Sequence, residues 1–217
     1  MIRFENLTKS FRMRGERQPV IDNLNLTLPS GKSLALLGRN GAGKSTLLQM
    51  ISGTMRADSG RIISDGTISW PVGFGGSFHK DLTGAQNVRF IARIYGVDTE
   101  SLLAFVDDFA ELGKFFHMPI KAYSSGMKSR LAFGMSMGIR FDTYLVDEVT
   151  AVGDASFKRK SRAVFVDRMQ HSSAIMVSHS MNQLRLFCNA GIVLENGQIQ
   201  YFDDLEDAIA CHEAIMS

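Results

Sequence analysis

A chain of 217 residues, 45% hydrophobic and 21% charged, is long enough for one well-cored α/β domain with a small subdomain and short for two full domains. Its 24 Lys and Arg against 22 Asp and Glu leave a formal charge of +2, too small to indicate a nucleic-acid partner. The N-terminus lacks the layout of a secretory signal and no apolar run approaches the roughly 20 residues of a membrane span. Cys188 and Cys211 stand far apart, outside any CxxC metal or disulfide pattern.

In chain order, Leu24, Leu26 and Leu28 alternate with polar residues, the period of a half-buried strand. Residues 33–37 read as a short buried strand closed by a Gly-rich turn, and from Lys44 the pattern turns helical, with Leu47, Leu48 and Ile51 on one face. The stretch at about 83–139 is mostly helical, with helices expected at 87–95, 102–112 and 125–139. The apolar run Tyr144-Leu145-Val146 then ends in Asp147-Glu148, and Ala174-Ile175-Met176-Val177 ends in Ser178-His179. The basic stretch Lys158-Arg159-Lys160 with Arg162 reads as a solvated helix face. Strands at 191–194 and 198–201 flank Asn196-Gly197, a hairpin signal. Three buried strands that each deliver polar residues at the C-terminal end predict a mainly parallel α/β sheet with a ligand site along that edge. With no repeat and no Pro-rich linker, residues 1–217 are expected to form one domain with a helical insertion.

Gly38-Arg39-Asn40-Gly41-Ala42-Gly43-Lys44-Ser45 matches the P-loop pattern GxxxxGK[ST] between a strand and a helix. Glycines let successive backbone N–H groups curl around a phosphate, and the following helix points its positive end at the same anion. Lys44 supplies charge to the β/γ-phosphates and Ser45 a hydroxyl to Mg²⁺. The nucleotide-contact set expected here runs through Thr46. A chance Gly-rich turn would not carry this strand–helix context. Asp147-Glu148 after an apolar strand could be an exposed turn. With a P-loop upstream, Asp147 instead reads as a Mg²⁺ ligand, through water, and Glu148 as the carboxylate that polarises the attacking water. ATP and Mg²⁺ are the expected ligands.

Tyr123-Ser124-Ser125-Gly126-Met127 opens a helix between these two motifs and resembles the signature sequence of ABC ATPases, usually written LSGGQ. The resemblance spans almost the whole chain. It implies an ABC-type P-loop NTPase with an antiparallel β subdomain beside the parallel core sheet. It places Phe11 as the aromatic that stacks on adenine, Ser124, Ser125 and Gly126 as contacts to a partner's nucleotide, Asp154 in the D-loop and His179 as the switch histidine. By themselves Phe11 could be a core aromatic and His179 a satisfied structural histidine. At one position the family pattern fails: Phe74 stands where a magnesium-contacting glutamine is usual, and Gln86 is too far downstream to replace it.

The Tyr-Ser-Ser-Gly-Met signature, Arg130-Leu131-Ala132-Phe133, Asp147-Glu148-Val149 and Ala151-Val152-Gly153-Asp154-Ala155 are similar to the ATPases of polysaccharide and teichoic-acid exporters. O-antigen exporter ATPases often carry a carbohydrate-binding domain after the nucleotide domain, for which a chain stopping at Ser217 has no room. The short form resembles the ATP-binding subunits of capsular polysaccharide export in Gram-negative bacteria. That resemblance implies a head-to-tail ATP-dependent dimer and a separate membrane-spanning permease. It also implies a place on the cytoplasmic face of the inner membrane, peripheral through that permease. A soluble ABC ATPase acting on DNA or ribosomes usually carries coiled-coil arms or paired domains, and neither is seen in the sequence. A small-molecule P-loop kinase would leave the signature and His179 without a role.

Overall fold

The computed structural model describes residues 1–13, 16–73, 78–147 and 155–216. It runs β1 (Ile2–Met13), β2 (Glu16–Leu28), β3 (Leu34–Leu37), α1 (Lys44–Ile51), β4 (Ser59–Ser64) and β5 (Ile68–Pro71). Helices α2 (Gly84–Tyr95) and α3 (Thr99–Ala110), two 3₁₀ turns (Gly113–His117 and Ile120–Ala122) and α4 (Ser125–Gly138) follow. The chain closes with β6 (Thr143–Asp147), α5 (Ala155–Met169), β7 (Ser173–Val177), α6 (Met181–Phe187), β8 (Ala190–Glu195), β9 (Gln198–Phe202) and α7 (Leu205–Met216). These elements divide into two compact units, one from residues 1–71, 141–148 and 171–217, the other from 72–140 and 149–170.

The first unit contains both sheets. A six-stranded sheet runs β5-β6-β7-β3-β8-β9, with β5, β6, β7, β3 and β8 parallel and only β9 antiparallel, against β8. All four residues of β3 are buried, as a central parallel strand requires. Asn196 and Gly197 both take positive φ, at 50° and 78°, and make the tight turn between β8 and β9. A second, antiparallel sheet runs β2-β1-β4. Leu24 and Leu28 point inward and Asn25 and Thr27 outward, as the alternation predicts. That period breaks at two bulges. Asn6 and Asn23 sit at φ 47° and 45° where the β1–β2 register shifts, so that Phe4 and Leu7, and likewise Ile21 and Leu24, all face the core. The Asn25 amide bridges the bulge: its Oδ1 accepts from the Asn6 N–H at 2.9 Å and its Nδ2 donates to Asn6 Oδ1 at 3.1 Å.

The second unit is helical. Helix α4 is buried continuously from Leu131 to Met137 and packs on α3 and α5. Phe109 lies at the centre, its ring 5.6 Å from Phe133 and 5.2 Å from Phe157. Helix α2 starts three residues before the expected boundary. The Thr83 hydroxyl accepts from the Gln86 N–H at 3.1 Å and the Gln86 amide accepts from the Thr83 N–H at 2.9 Å, a reciprocal cap. Of the basic stretch in α5, Lys158, Arg159 and Arg162 are exposed, whereas Lys160 donates to Glu111 and to the Asp108 carbonyl, both at 2.8 Å. It thus offsets the negative end of α3.

Candidate functional site

The loop 38–43 follows β3 and leads into α1. Gly43 occupies the N-cap of α1 at φ 105°, and no side chain caps that helix. A Cβ on Gly43 would fall 2.1 Å from Val20 Cγ1, and one on Gly38 would fall 2.4 Å from the Leu194 carbonyl oxygen. The loop therefore lies against its neighbours at backbone distance, and the spacing of these two glycines is a packing requirement as well as a conformational one. The Lys44 ammonium turns back over the loop and donates to the carbonyls of Gly38 at 2.7 Å and Arg39 at 3.0 Å. A cleft of about 630 Å³ opens beside it. Arg39, Asn40, Gly41, Ala42, Gly43 and Thr46 form one wall, and Phe11, Val20 and the β8–β9 turn form the others.

The ends of the neighbouring parallel strands reach the same edge. Asp147, the last residue of β6, pairs in register with Val177, the last of β7, and Ser178 and His179 follow directly. His179 lines a smaller cavity of about 170 Å³ with Gly38, Arg39, Asn40 and Lys44. His212 of α7 enters the same cavity, and its buried Nδ1 has no hydrogen-bond partner among the described residues. Burial first, and the Lys44 ammonium second, hold the His212 imidazole below its ordinary value. Ser45 is exposed at the start of α1, and no group of three or more His, Cys, Asp or Glu gathers among the described residues. One hydroxyl and one carboxylate cannot enclose a divalent cation. They do fit Mg²⁺, which keeps several waters and is completed by phosphate oxygens.

In the second unit, Ser124 caps α4: its Oγ accepts from the Met127 N–H at 3.2 Å. Ser124, Ser125 and Gly126 are all exposed, while Tyr123 is buried and donates to the Phe115 carbonyl at 2.6 Å.

The family model described as "ABC transporter" matches residues 21–151. The chain is 56% identical to the polysialic acid transport ATP-binding protein KpsT of Escherichia coli, across 96% of this chain and 95% of that one. It is 41% identical to the capsule polysaccharide export ATP-binding protein CtrD of Neisseria meningitidis, across 99% and 100%. This chain belongs to the ABC transporter family. A solved ATP-binding cassette, dimeric in a post-hydrolysis state with ADP and Pi, shares the fold at a TM-score of 0.74 over 94% of this chain and 99% of its own, with 21% identity. The expectation of an ABC-type transport ATPase with a mainly parallel core sheet, an antiparallel β subdomain and a helical insertion therefore holds. Identity falls to 35% or less for the O-antigen and teichoic-acid export proteins compared.

The ABC fold gathers Phe11, the loop residues 38–46, Asp147 and His179 on one unit, and carries Ser124, Ser125 and Gly126 on the other. Glu148, Asp154 and Phe74 lie outside the described residues. Three features of the site went unread in the sequence: Val20, the cleft wall at 194–197, and His212. His212 was open to discovery, because it continues the inward stripe Leu205, Ala208, Ile209 of α7 at helical spacing. Among the described residues no helix is long and apolar enough to cross a membrane.

Proposed function

We propose that this chain is the ATP-hydrolysing subunit of a capsular polysaccharide exporter. In this reading it works as a head-to-tail pair on the cytoplasmic face of the inner membrane, through a separate membrane-spanning permease. The observation that carries the ATPase half is the glycine cradle at the uncapped start of α1, where Gly38 and Gly43 leave no room for a Cβ. Its backbone donors and the helix dipole suit a phosphate chain. Lys44 would exchange the Gly38 and Arg39 carbonyls for β/γ-phosphate oxygens, and Phe11, on the opposite wall, would stack on the base. Ser45 and Asp147 would hold Mg²⁺, which neutralises phosphate charge when bound. Glu148, next after Asp147 in sequence, polarises the attacking water, and His179 at the same edge monitors the γ-phosphate. Ser124, Ser125 and Gly126 of one copy complete the site of the other, with Asp154 at that interface. In this reading residues 1–217 act as one nucleotide-binding domain. Phe90 and Ile94, exposed one turn apart on α2, suit a permease contact.

The cargo follows from the extent of the match: two relatives named for polysialic acid transport and capsule polysaccharide export align along nearly their full length. In a capsulated strain, Lys44→Ala in the chromosomal copy should leave polymer synthesis intact, accumulate polymer inside the cell and strip it from the surface. A normal capsule would assign another cargo. Loss of the polymer inside as well as outside would place the chain upstream of transport.

A further inference from the structure

Phe11 is one residue beyond a polar knot that ties β1 to the segment after α1. Both oxygens of the Asp58 carboxylate are engaged. Oδ1 accepts from Lys9 Nζ at 3.0 Å, and Oδ2 accepts from the Ser10 N–H at 2.9 Å and from the Ser10 hydroxyl at 2.8 Å. Arg17, on the paired strand β2, donates through Nε to the same Ser10 hydroxyl at 2.7 Å. The Asp58 N–H donates back to the Thr8 carbonyl at 2.9 Å. The Lys9 ammonium also donates to the Arg56 carbonyl at 2.9 Å and stands 5.5 Å from the centre of the Phe11 ring. Phe11 itself is 38% exposed and lines the 630 Å³ cleft. An aromatic ring this open has few packing contacts to hold it, so its orientation depends on what grips the strand and its neighbouring side chains.

We infer that Asp58 is a positioning residue for the base half of the nucleotide site. It holds Lys9 against Phe11 and locks the Ser10 backbone, so that the ring presents one face to the cleft. The inference rests on reading that cleft as the nucleotide site with Phe11 as its base platform. Lys9 near the ring also draws the aromatic charge toward itself, which makes stacking of another π system on the ring less repulsive. Of this group only Phe11 lines the cleft, and Lys9, Ser10, Arg17 and Asp58 line neither it nor the smaller cavity at Lys44, so Asp58 should affect the base and not the phosphates.

The test compares two ligands on the full-length chain in Mg²⁺: ATP, which can use both halves of the site, and inorganic tripolyphosphate, which has no base. Asp58→Asn keeps the side-chain shape and removes the charge. It should weaken ATP about 2- to 10-fold, the range an aromatic pairing contributes, and leave tripolyphosphate unchanged. Asp58→Glu should restore part of the loss. Lys9→Met, which spares the Ser10 contacts, should produce a smaller change of the same kind and serves if Asp58→Asn does not fold. Combining Asp58→Asn with Phe11→Ala should be no worse for ATP than Phe11→Ala alone. Equal weakening of both ligands, or no weakening of either, overturns the inference. If Phe11→Ala itself leaves the ratio of the two affinities unchanged, the base-platform reading beneath it fails as well.

Discussion

Helix α1 begins at Gly43 with no side chain capping it, whereas α4 begins at Ser124, whose hydroxyl accepts from the Met127 N–H. Helices α2, α3 and α6 are built like α4, capped by Thr83, Asp98 and Ser180. An uncapped helix start leaves its donors to water or a ligand, so α1 is suited to an anion, while a self-capped start is stable without one. The surroundings differ in the same sense. Gly43 is pressed against Val20, whereas a Cβ on Gly126 would meet nothing nearer than Ser124 Oγ at 3.9 Å. The cradle is thus a built cavity. The α4 start is an open surface, which suits the contact with a partner's nucleotide proposed for it.

Alanine substitution at the two glycines should break the comparison most visibly if it is wrong. Gly43→Ala must relieve both a 2.1 Å approach to Val20 Cγ1 and a φ of 105°. Strain of about 1–3 kcal/mol corresponds to ATP binding weakened roughly 5- to 150-fold. Gly126→Ala should leave ATP binding by the isolated chain within about twofold, the effect of an ordinary surface change. Its cost should appear only in ATP-dependent dimerisation and turnover. Equal affinities for the two variants, measured by displacement of a fluorescent nucleotide, would remove the distinction between cradle and open surface.

The cradle was legible in the sequence for the same reason that it is sensitive: glycines at fixed spacing between a buried strand and a helix admit few other uses. The strand ends at Asp147 and His179 were legible because a fully buried parallel strand is a continuous apolar run. Strand β1 was not, because the bulge at Asn6 throws Phe4 and Leu7 to the same side and destroys the alternation. Helix α5 was read only as a basic face. Its inward residues Phe157, Ser161 and Phe165 recur every four positions, but one of them is a serine and they lie among five Lys and Arg residues. The partners of the cleft, Val20 and the 194–197 turn, come from chain segments far from the P-loop, and no local pattern announces a contact made by backbone and turn geometry.

A smaller effect separates the cap that Ser124 forms from the contact to a partner's nucleotide proposed for it. Ser124→Ala removes the cap and should destabilise the chain by about 1 kcal/mol. Ser124→Asp retains a good cap and so should keep the wild-type melting temperature. Its negative charge, however, would face a partner's triphosphate, so ATP-dependent dimerisation should fall more in Ser124→Asp than in Ser124→Ala. Dimerisation is best followed by sizing with Glu148→Gln in the background. If dimerisation instead tracks stability across the pair, the α4 start acts only as a cap.

The smallest expected effect concerns His212, where α7 meets the back of the cradle. Its imidazole lies below the ordinary 6.5, through burial first and Lys44 second, with Glu213 on the same helix pulling upward. His179 and Arg39 line the same cavity. The folded chain therefore accepts this proton less readily than the unfolded chain. Well above pH 6.5 the imidazole is neutral in both states and has no effect. As pH falls through 6.5 toward the folded-state value, the unfolded chain gains protons first and stability drops. His212→Gln keeps a polar side chain but cannot titrate, so it should lose less melting temperature than wild type between pH 7.5 and pH 5.5. The gap should be smaller than the roughly 2–4 °C that 1 kcal/mol moves in a chain of this size. A saturating nucleotide should narrow it, because a bound triphosphate offsets the Lys44 charge that opposes protonation. Parallel melting curves for wild type and His212→Gln across that range would mean that α7 packs behind the cradle without sensing its charge.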